Sequence, residues 1–564
     1  MLLNPTDYSL KHEDQGFQEI IEKTIEFFET KGLQKVKDDD THRIWYADFL
    51  AFVKKEKIFA TLLTPPAYGQ ENYRWDTWRI AHFNEILGFY GLAYWYTWQV
   101  SILGLGPIWM SENEALKQRA ARLLDQGEVF AFGLSERDHG ADIYSTEMSL
   151  TPEKNGQYVA NGSKYDIGNG NTAKMVSTFG KMSDSGDYVV FVANYLHEKY
   201  NCVKNVVNSQ SYVAEYTLDK YPISEEDILH KGPEAWNAVL NTVNIGKYNL
   251  GLASIGMCTH AFYEALSHAS QRKLYDMHVT DFSHVKQMFM DAYSRLVAMK
   301  LVALRAADYM RVASREDKRY LLYNPVVKMK VTTQGEAVID LLWDVIAAKG
   351  FEKDTFFDMV TRDIRALPKL EGTVHVNIAL ILKFMASYFF KSTNYPPVEK
   401  QSQASNDDFL FNQGPTRGLG KIRFHDYNKV YKTVQLPNVK IFKQQIRLLK
   451  TMLMLAKPDK EQSKDIDFLM ALGELFTLVV YGQLVLENAR IYDIEDDTID
   501  QMFDFMVRDF SKHALQLYSK ASSTKTQMRL CSMMMKKPAV NRARFIRIWE
   551  NEIFPLRDKY TMRP

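Results

Sequence analysis

Three cysteines in 564 residues, Cys202, Cys258 and Cys531, are too few and too scattered for a disulfide framework, and no Cys-x-x-Cys spacing offers a zinc site. No metal site and a reducing, cytoplasmic setting are expected. Net charge is equally scarce. Seventy Lys and Arg against sixty-nine Asp and Glu leave +1, so no overall field recruits nucleic acid, and an anionic ligand must rely on local basic residues. The first residues, MLLNPTDYSLKHEDQG, have neither a basic n-region nor an apolar h-region, so no secretion signal is expected. One segment, 468–486, is nearly continuous in apolar residues, but it contains Gly473, Glu474, Gly482 and Gln483. A glutamate inside a membrane span is costly, so a buried bundle helix is the expectation, with peripheral membrane contact left open. Repeats and low-complexity tracts are also missing. What is present, 46% hydrophobic and 25% charged residues, is an ordinary globular composition, long enough for roughly three or four domain-sized units.

The texture changes along the chain. From 15 to 127 apolar residues recur at helical spacing, as in Phe17, Ile20, Ile21, Ile25 and Phe28, which predicts a helical amino-terminal domain. Its tryptophans, Trp45, Trp75, Trp78, Trp95, Trp98 and Trp109, are candidates for a cofactor pocket, although aromatic stripes on helices are usually core. From 128 to 240 β-branched alternation with glycine punctuation predicts a small β domain, with strands around 158–160, 175–179, 188–192 and 212–218. Helical periodicity returns near 243 and, with a break at 313–326, runs to 391 as a helical bundle carrying a loop with candidate catalytic residues. A loop-rich linker, 392–436, is marked by Pro396, Pro397, Gly414, Pro415, Gly418 and Gly420. Helical runs at 441–455, 466–489 and 499–517 predict a carboxy-terminal helical domain, 437–564. The fold class is therefore mainly α with a central small β domain.

The most chemically pointed segment is Arg362-Asp363-Ile364-Arg365, leading to Leu370-Glu371-Gly372-Thr373 at a loop-to-helix junction. There glycine admits close approach to the backbone, and threonine can cap the helix. Glu371 is a candidate general base, while the plainer reading puts its charge in the first turn for the helix dipole.

Upstream, Phe130-Ala-Phe132-Gly-Leu134-Ser135-Glu136-Arg137-Asp-His139-Gly140-Ala-Asp142 is followed by Asn161-Gly162-Ser-Lys164-Tyr-Asp166-Ile167-Gly168-Asn169-Gly170, and later by Arg272-Lys-Leu-Tyr275. These blocks, in this order and at this spacing with the Glu-Gly-Thr block after them, resemble the acyl-CoA dehydrogenase family over about residues 20–390. The resemblance implies a helical, β, helical-bundle architecture, with the carboxy-terminal extension similar to that of the very-long-chain and oxidase-like members. It implies FAD as cofactor, contacted by Phe132, Leu134, Ser135, Ile167, Gly168 and Thr373, and by Arg272 and Tyr275 of a neighbouring subunit in a homodimer or larger assembly. It implies α,β-dehydrogenation of an acyl-CoA thioester to the trans-2-enoyl-CoA in fatty-acid β-oxidation or related lipid metabolism. Glu371 is then the base, Asn244, Lys247 and Gly372 contact substrate, and electron-transferring flavoprotein accepts the electrons. Some members carry the base at the position of Gly246, which is not an acid here, so a one-base site at Glu371 is coherent.

Several residues depart from the family pattern. Asp166 stands in place of a tryptophan near the flavin, and Gly168 in place of a hydroxyl donor. Asp344 replaces a glutamine that faces pyrophosphate, with Lys349 as the candidate cation to offset it. An acyl-CoA oxidase using oxygen, or a non-catalytic acyl-binding scaffold, are the alternatives these leave open.

Overall fold

The computed structural model describes residues 1–8 and 14–564, and of Asn155 only the backbone. The chain forms two compact units. The amino-terminal unit comprises residues 8–249, 402–417 and 562–564; the carboxy-terminal unit comprises 1–7, 250–401 and 418–561.

The amino-terminal unit opens with six helices: α1 (Gln15–Thr41), α2 (Ala47–Lys55), α3 (Ile58–Leu63), α4 (Thr77–Tyr90), α5 (Leu92–Met110) and α6 (Glu114–Asp125). Asp14 caps α1 by accepting from the Phe17 N–H. Trp75, Trp95 and Trp98 are fully buried, so the aromatic stripes serve as core. Strands follow: β1 (Ala131–Gly133), β2 (Ser149–Pro152), β3 (Gln157–Gly168), β4 (Val176–Met182), β5 (Tyr188–Ala193), β6 (Tyr200–Asn205), β7 (Val213–Ser224) and β8 (Ile228–Lys231). They form one sheet in the order β6-β7-β3-β2-β4-β5-β8, with β1 parallel to β4. Leu150, Ala160, Ile167, Val176, Phe191, Tyr216 and Ile223 build its core. Strands lie near each expected position, and β4 and β5 are buried along nearly their whole length rather than alternating. The next helix, α7 (Pro233–Gln271), starts ten residues before the expected 243, because Pro233 at its first position needs no N–H partner and is preset for helix.

The middle of the expected linker, the strap Ser402–Arg417, is tied down within this unit. Asp407 donates its N–H to the Trp75 carbonyl (2.8 Å) and accepts from the Thr77 N–H (2.6 Å), while the Asn406 side chain accepts from the Trp75 N–H.

The carboxy-terminal unit takes α7 from Leu250 onward. It continues through a hairpin, β9 (Lys273–Leu274) and β10 (Met277–His278), then α8 (Ser283–Arg311), α9 (Tyr320–Val326), a π-helical turn (Val327–Val331), α10 (Thr332–Ile346), α11 (Phe357–Asp363) and α12 (Val374–Phe390). After the strap come α13 (Tyr427–Lys432), α14 (Pro437–Leu455), α15 (Ile466–Ile491), α16 (Asp496–Tyr518), α17 (Lys525–Met534) and α18 (Arg542–Ile548). The break expected at 313–326 ends earlier, at Tyr320, and Pro325 is accommodated inside a helix that widens into the π turn directly after it. The apolar α15, long enough by composition to cross a membrane, is mostly buried against α8, α12 and α16. Its Glu474 pairs with Lys330 of the π turn at 3.0 Å, so the charge is compensated inside the bundle.

Candidate functional site

In the amino-terminal unit, β1 delivers Phe132 and the loop beyond it, and a buried ion pair sets that loop's path. Lys164, fully buried on β3, donates to Glu136 (2.7 Å), to the Leu134 carbonyl (3.0 Å) and to Thr146 Oγ1 (3.2 Å). Glu136 also accepts from Thr146 Oγ1 and from the Glu147 and Met148 N–H groups. Burial pulls the Lys164 ammonium down to about 8, and the Glu136 charge opposes that fall. Burial by itself would raise Glu136, but the Lys164 charge holds it below the ordinary carboxylate value. Residues 134–136 are thus fixed at both ends, since the Ser135 carbonyl also accepts from the Tyr165 N–H at 2.9 Å. Leu134 and Ser135 remain half-exposed, whereas Phe132 is buried and Ile167 belongs to the sheet core.

At the end of β3 the departures acquire physical reasons. Asp166 has φ +62° at a bulge and is exposed. Gly168 is pressed by Tyr96 and Val100 of α5, both within 2.7 Å of where a Cβ would sit, so a hydroxyl-bearing residue has no room there. Asn169 is buried and anchors the strand end to α5, donating to the Thr97 and Phe130 carbonyls and accepting from Thr97 Oγ1. Asn244 and Lys247 are buried on α7, and Asn244 lies 3.5 Å from Gln413 of the strap. Between them, the Gly246 carbonyl accepts from Gln99 (3.2 Å), part of a buried chain in which Gln99 accepts from Asn249, Asn249 from Asn84, and Asn84 from the Trp95 and Trp98 indoles.

In the carboxy-terminal unit Glu371 lies in the turn before α12, with φ +51°, followed by Gly372 at +86°. A left-handed glutamate is uncommon and persists where its surroundings over-determine it. Thr373 is the helix cap, accepting from the Val376 N–H, and the first turn of α12 holds no acid. Glu371 therefore stands outside the helix, and the dipole reading does not describe it. Gly372 lends its carbonyl to two donors, Lys328 of the π turn and Asn377 of α12 (2.9 Å), and Lys328 also donates to the Pro368 carbonyl at 2.7 Å. The sequence reading missed Lys328, Glu136 and Tyr96. Glu136 and Lys164 stood inside the quoted blocks, and their opposite charges were the available signal.

Arg272 and Tyr275 sit on the β9–β10 hairpin, whose tip, Tyr275-Asp276, has φ of +52° and +62°. Both side chains are exposed, and Leu274 and Met277 beside them are exposed apolar residues. Asp344 is exposed on α10. Lys349, the cation expected to offset it, has its ammonium engaged with Glu352 (2.5 Å) and Asp354 (3.4 Å). Among the described residues no cluster of three or more metal-ligating side chains occurs.

Residues 234–386 match the family model described as acyl-CoA dehydrogenase, C-terminal domain. An acyl-CoA dehydrogenase of Bacillus subtilis is 23% identical over 295 residues, covering 50% of this chain and 75% of that protein. The mitochondrial very long-chain specific acyl-CoA dehydrogenase of Rattus norvegicus is 23% identical over 375 residues, covering 64% of this chain and 56% of that protein. Among solved structures, the acyl-CoA dehydrogenase complexed with FAD from Bacillus anthracis aligns with a TM-score of 0.74 at 16% identity, over 98% of this chain and 97% of that one. In fold this chain is similar to the acyl-CoA dehydrogenases, and residues 234–386 match the C-terminal domain of that family.

Proposed function

We propose that the protein is an FAD-dependent acyl-CoA dehydrogenase that converts an acyl-CoA thioester to the trans-2-enoyl-CoA in fatty-acid β-oxidation or related lipid metabolism. The observation that carries this is Glu371, a carboxylate held in a strained left-handed turn outside its helix, at the position where the family resemblance implies the base. The residues present suit a flavin by their chemistry. Ser135 keeps a hydroxyl on a rigid, half-exposed loop, Thr373 a second hydroxyl, and Arg272 an exposed guanidinium suited to a diphosphate. Phe132, Leu134, Ile167, Gly168 and Tyr275 complete the set that we assign to it, the first and third through the backbone because their side chains are buried. FAD supplies the hydride acceptor that no side chain can provide. Glu371 takes the α-proton as the Cα–Cβ double bond forms, and the Glu371 backbone N–H would donate to the thioester oxygen as negative charge develops there. Asn244, Lys247 and Gly372 are the substrate contacts we propose. A homodimer built through the exposed hairpin, electron-transferring flavoprotein as acceptor and a cytoplasmic location, in keeping with three free cysteines, complete the proposal.

The test is anaerobic mixing of the purified yellow protein with acyl-CoA thioesters of several lengths. Bleaching of the flavin absorbance is expected, and Glu371→Gln should slow it by about a hundredfold or more while sparing thioester binding. Undiminished bleaching in Glu371→Gln removes the residue from the mechanism. Hydrogen peroxide formed in air, without electron-transferring flavoprotein, would make the protein an oxidase. The second reading, a non-catalytic scaffold, is favoured by the crowding of Gly168 by Tyr96 and by the exposed Asp166. A colourless protein that takes up no FAD would establish it in place of the enzyme.

A further inference from the structure

Lys328 is fully buried, and a buried ammonium is tolerated only where its donors find acceptors. Two of its acceptors are the carbonyls of Pro368 and Gly372, which bracket Lys369, Leu370 and Glu371. Its place in the π turn, directly after Pro325, is the kind of local helix irregularity that recurs at functional positions. The turn offers a second lysine for comparison, since Lys330 pairs instead with Glu474 on α15. Asn377, from α12, shares the Gly372 carbonyl with Lys328 and also donates to the Thr373 carbonyl (3.0 Å). The backbone around Glu371 is therefore gripped from two helical segments, the adjoining α12 and the sequence-remote π turn.

We propose that Lys328 is a positioning residue for Glu371: by clamping the carbonyls on either side, it holds the left-handed backbone that aims the carboxylate. The inference rests on the reading of Glu371 as the base, but the clamp itself is a separate, measurable property of the chain. An aliphatic residue would fill the same space without a buried charge, so the ammonium's contribution here is geometry. Replacing it should loosen the turn without removing the carboxylate.

The experiment compares Lys328→Met, Lys328→Arg, Asn377→Leu and Lys330→Met in the full-length holoenzyme. Amide hydrogen exchange over 368–373 is read alongside the limiting rate and half-saturation of anaerobic flavin reduction by acyl-CoA. In Lys328→Met the amides of Leu370, Glu371 and Gly372 should exchange about tenfold faster or more. The limiting rate should fall by about a hundredfold, as expected for a misplaced reacting group, with little change in half-saturation. Lys328→Arg should recover part of both effects. Lys330→Met should change neither, although it strands Glu474. Unchanged exchange in Lys328→Met overturns the proposal, as does the same response in Lys330→Met, which would mark general loosening of the bundle. If Lys328→Met fails to fold, Asn377→Leu decides, because it releases the same carbonyl: faster local exchange supports the clamp and unchanged exchange refutes it. A wild type whose flavin no thioester reduces would sink the catalytic reading, while the exchange measurement still decides the clamp.

Discussion

At the scale of single residues, one departure from the expected pattern is steric. Gly168 is glycine because Tyr96 and Val100 occupy the space of a side chain. Gly168→Thr should therefore destabilise the amino-terminal unit by about 1–3 kcal/mol through overpacking. Adding Tyr96→Ala should recover part of that loss, since the two sites are in direct contact. Denaturant midpoints of the two single variants and the double variant check this, and strict additivity would show that Tyr96 is not the obstacle. Lys164 and Glu136 form the other residue-level feature. Lys164→Met strands a carboxylate that is only 7% exposed, and should cost about 3–5 kcal/mol, the usual consequence of breaking a buried pair on one side. The double substitution with Glu136→Leu should cost much less. Equal losses in both would refute the pairing argument.

At the scale of elements, polar networks decide which helices belong together. Asn84 of α4 accepts from two indoles of α5 and donates to Asn249 of α7. Asn84→Leu removes one partner from three buried groups, so a loss of about 2 kcal/mol or more is expected, as each unmet buried group costs about 1–3 kcal/mol. Thermal unfolding measures it, and a neutral result would mean that water replaces the side chain. In α15, Glu487 plays the matching part. It accepts from Arg305 (2.9 Å) and from the Tyr309 hydroxyl (2.8 Å), and lies 2.9 Å from His425 Nε2. This fixes the carboxy-terminal end of the helix against α8.

At the scale of the whole molecule, these buried carboxylates set the response to acid. Burial by itself would raise Glu487 and Asp509, but the hydrogen bond from His425 and the Arg305 charge on the first, and Arg295 on the second, hold both well below their ordinary values of 4.5 and 3.8. A folded-state pKa below the unfolded one means that the stabilisation is complete above the ordinary value and lost progressively as pH falls from there through the folded-state value. Stability of the carboxy-terminal unit should accordingly be insensitive to these groups from pH 7 to about 5 and drop steeply below about 4.5. Glu487→Gln should lower the plateau and flatten the drop, and parallel pH profiles would rule this out. Truncation near residue 400 should give insoluble protein, because it strips α15 from the faces of α8 and α12 that it covers. A soluble, fully active truncated protein would show that the extension is dispensable.

The sequence by itself determined what depends on local spacing. Helical and alternating periods located the helical, β and helical regions, and Thr373 was legible as a cap because capping involves residues three apart. The order of motifs pointed to the family whose fold the chain shares. It missed the early start of α7 at Pro233, although Ala235, Ala238 and Val239 already recur at helical spacing there. Only the tertiary structure decided which charges meet. Lys164 reaches Glu136 across 28 residues, Lys328 reaches Gly372 across 44, and Arg305 reaches Glu487 across 182. No periodicity encodes such partners. A buried lysine and an exposed one look alike in a sequence, and the cost of burying a charge selects its partner only once the surrounding helices have packed and excluded water.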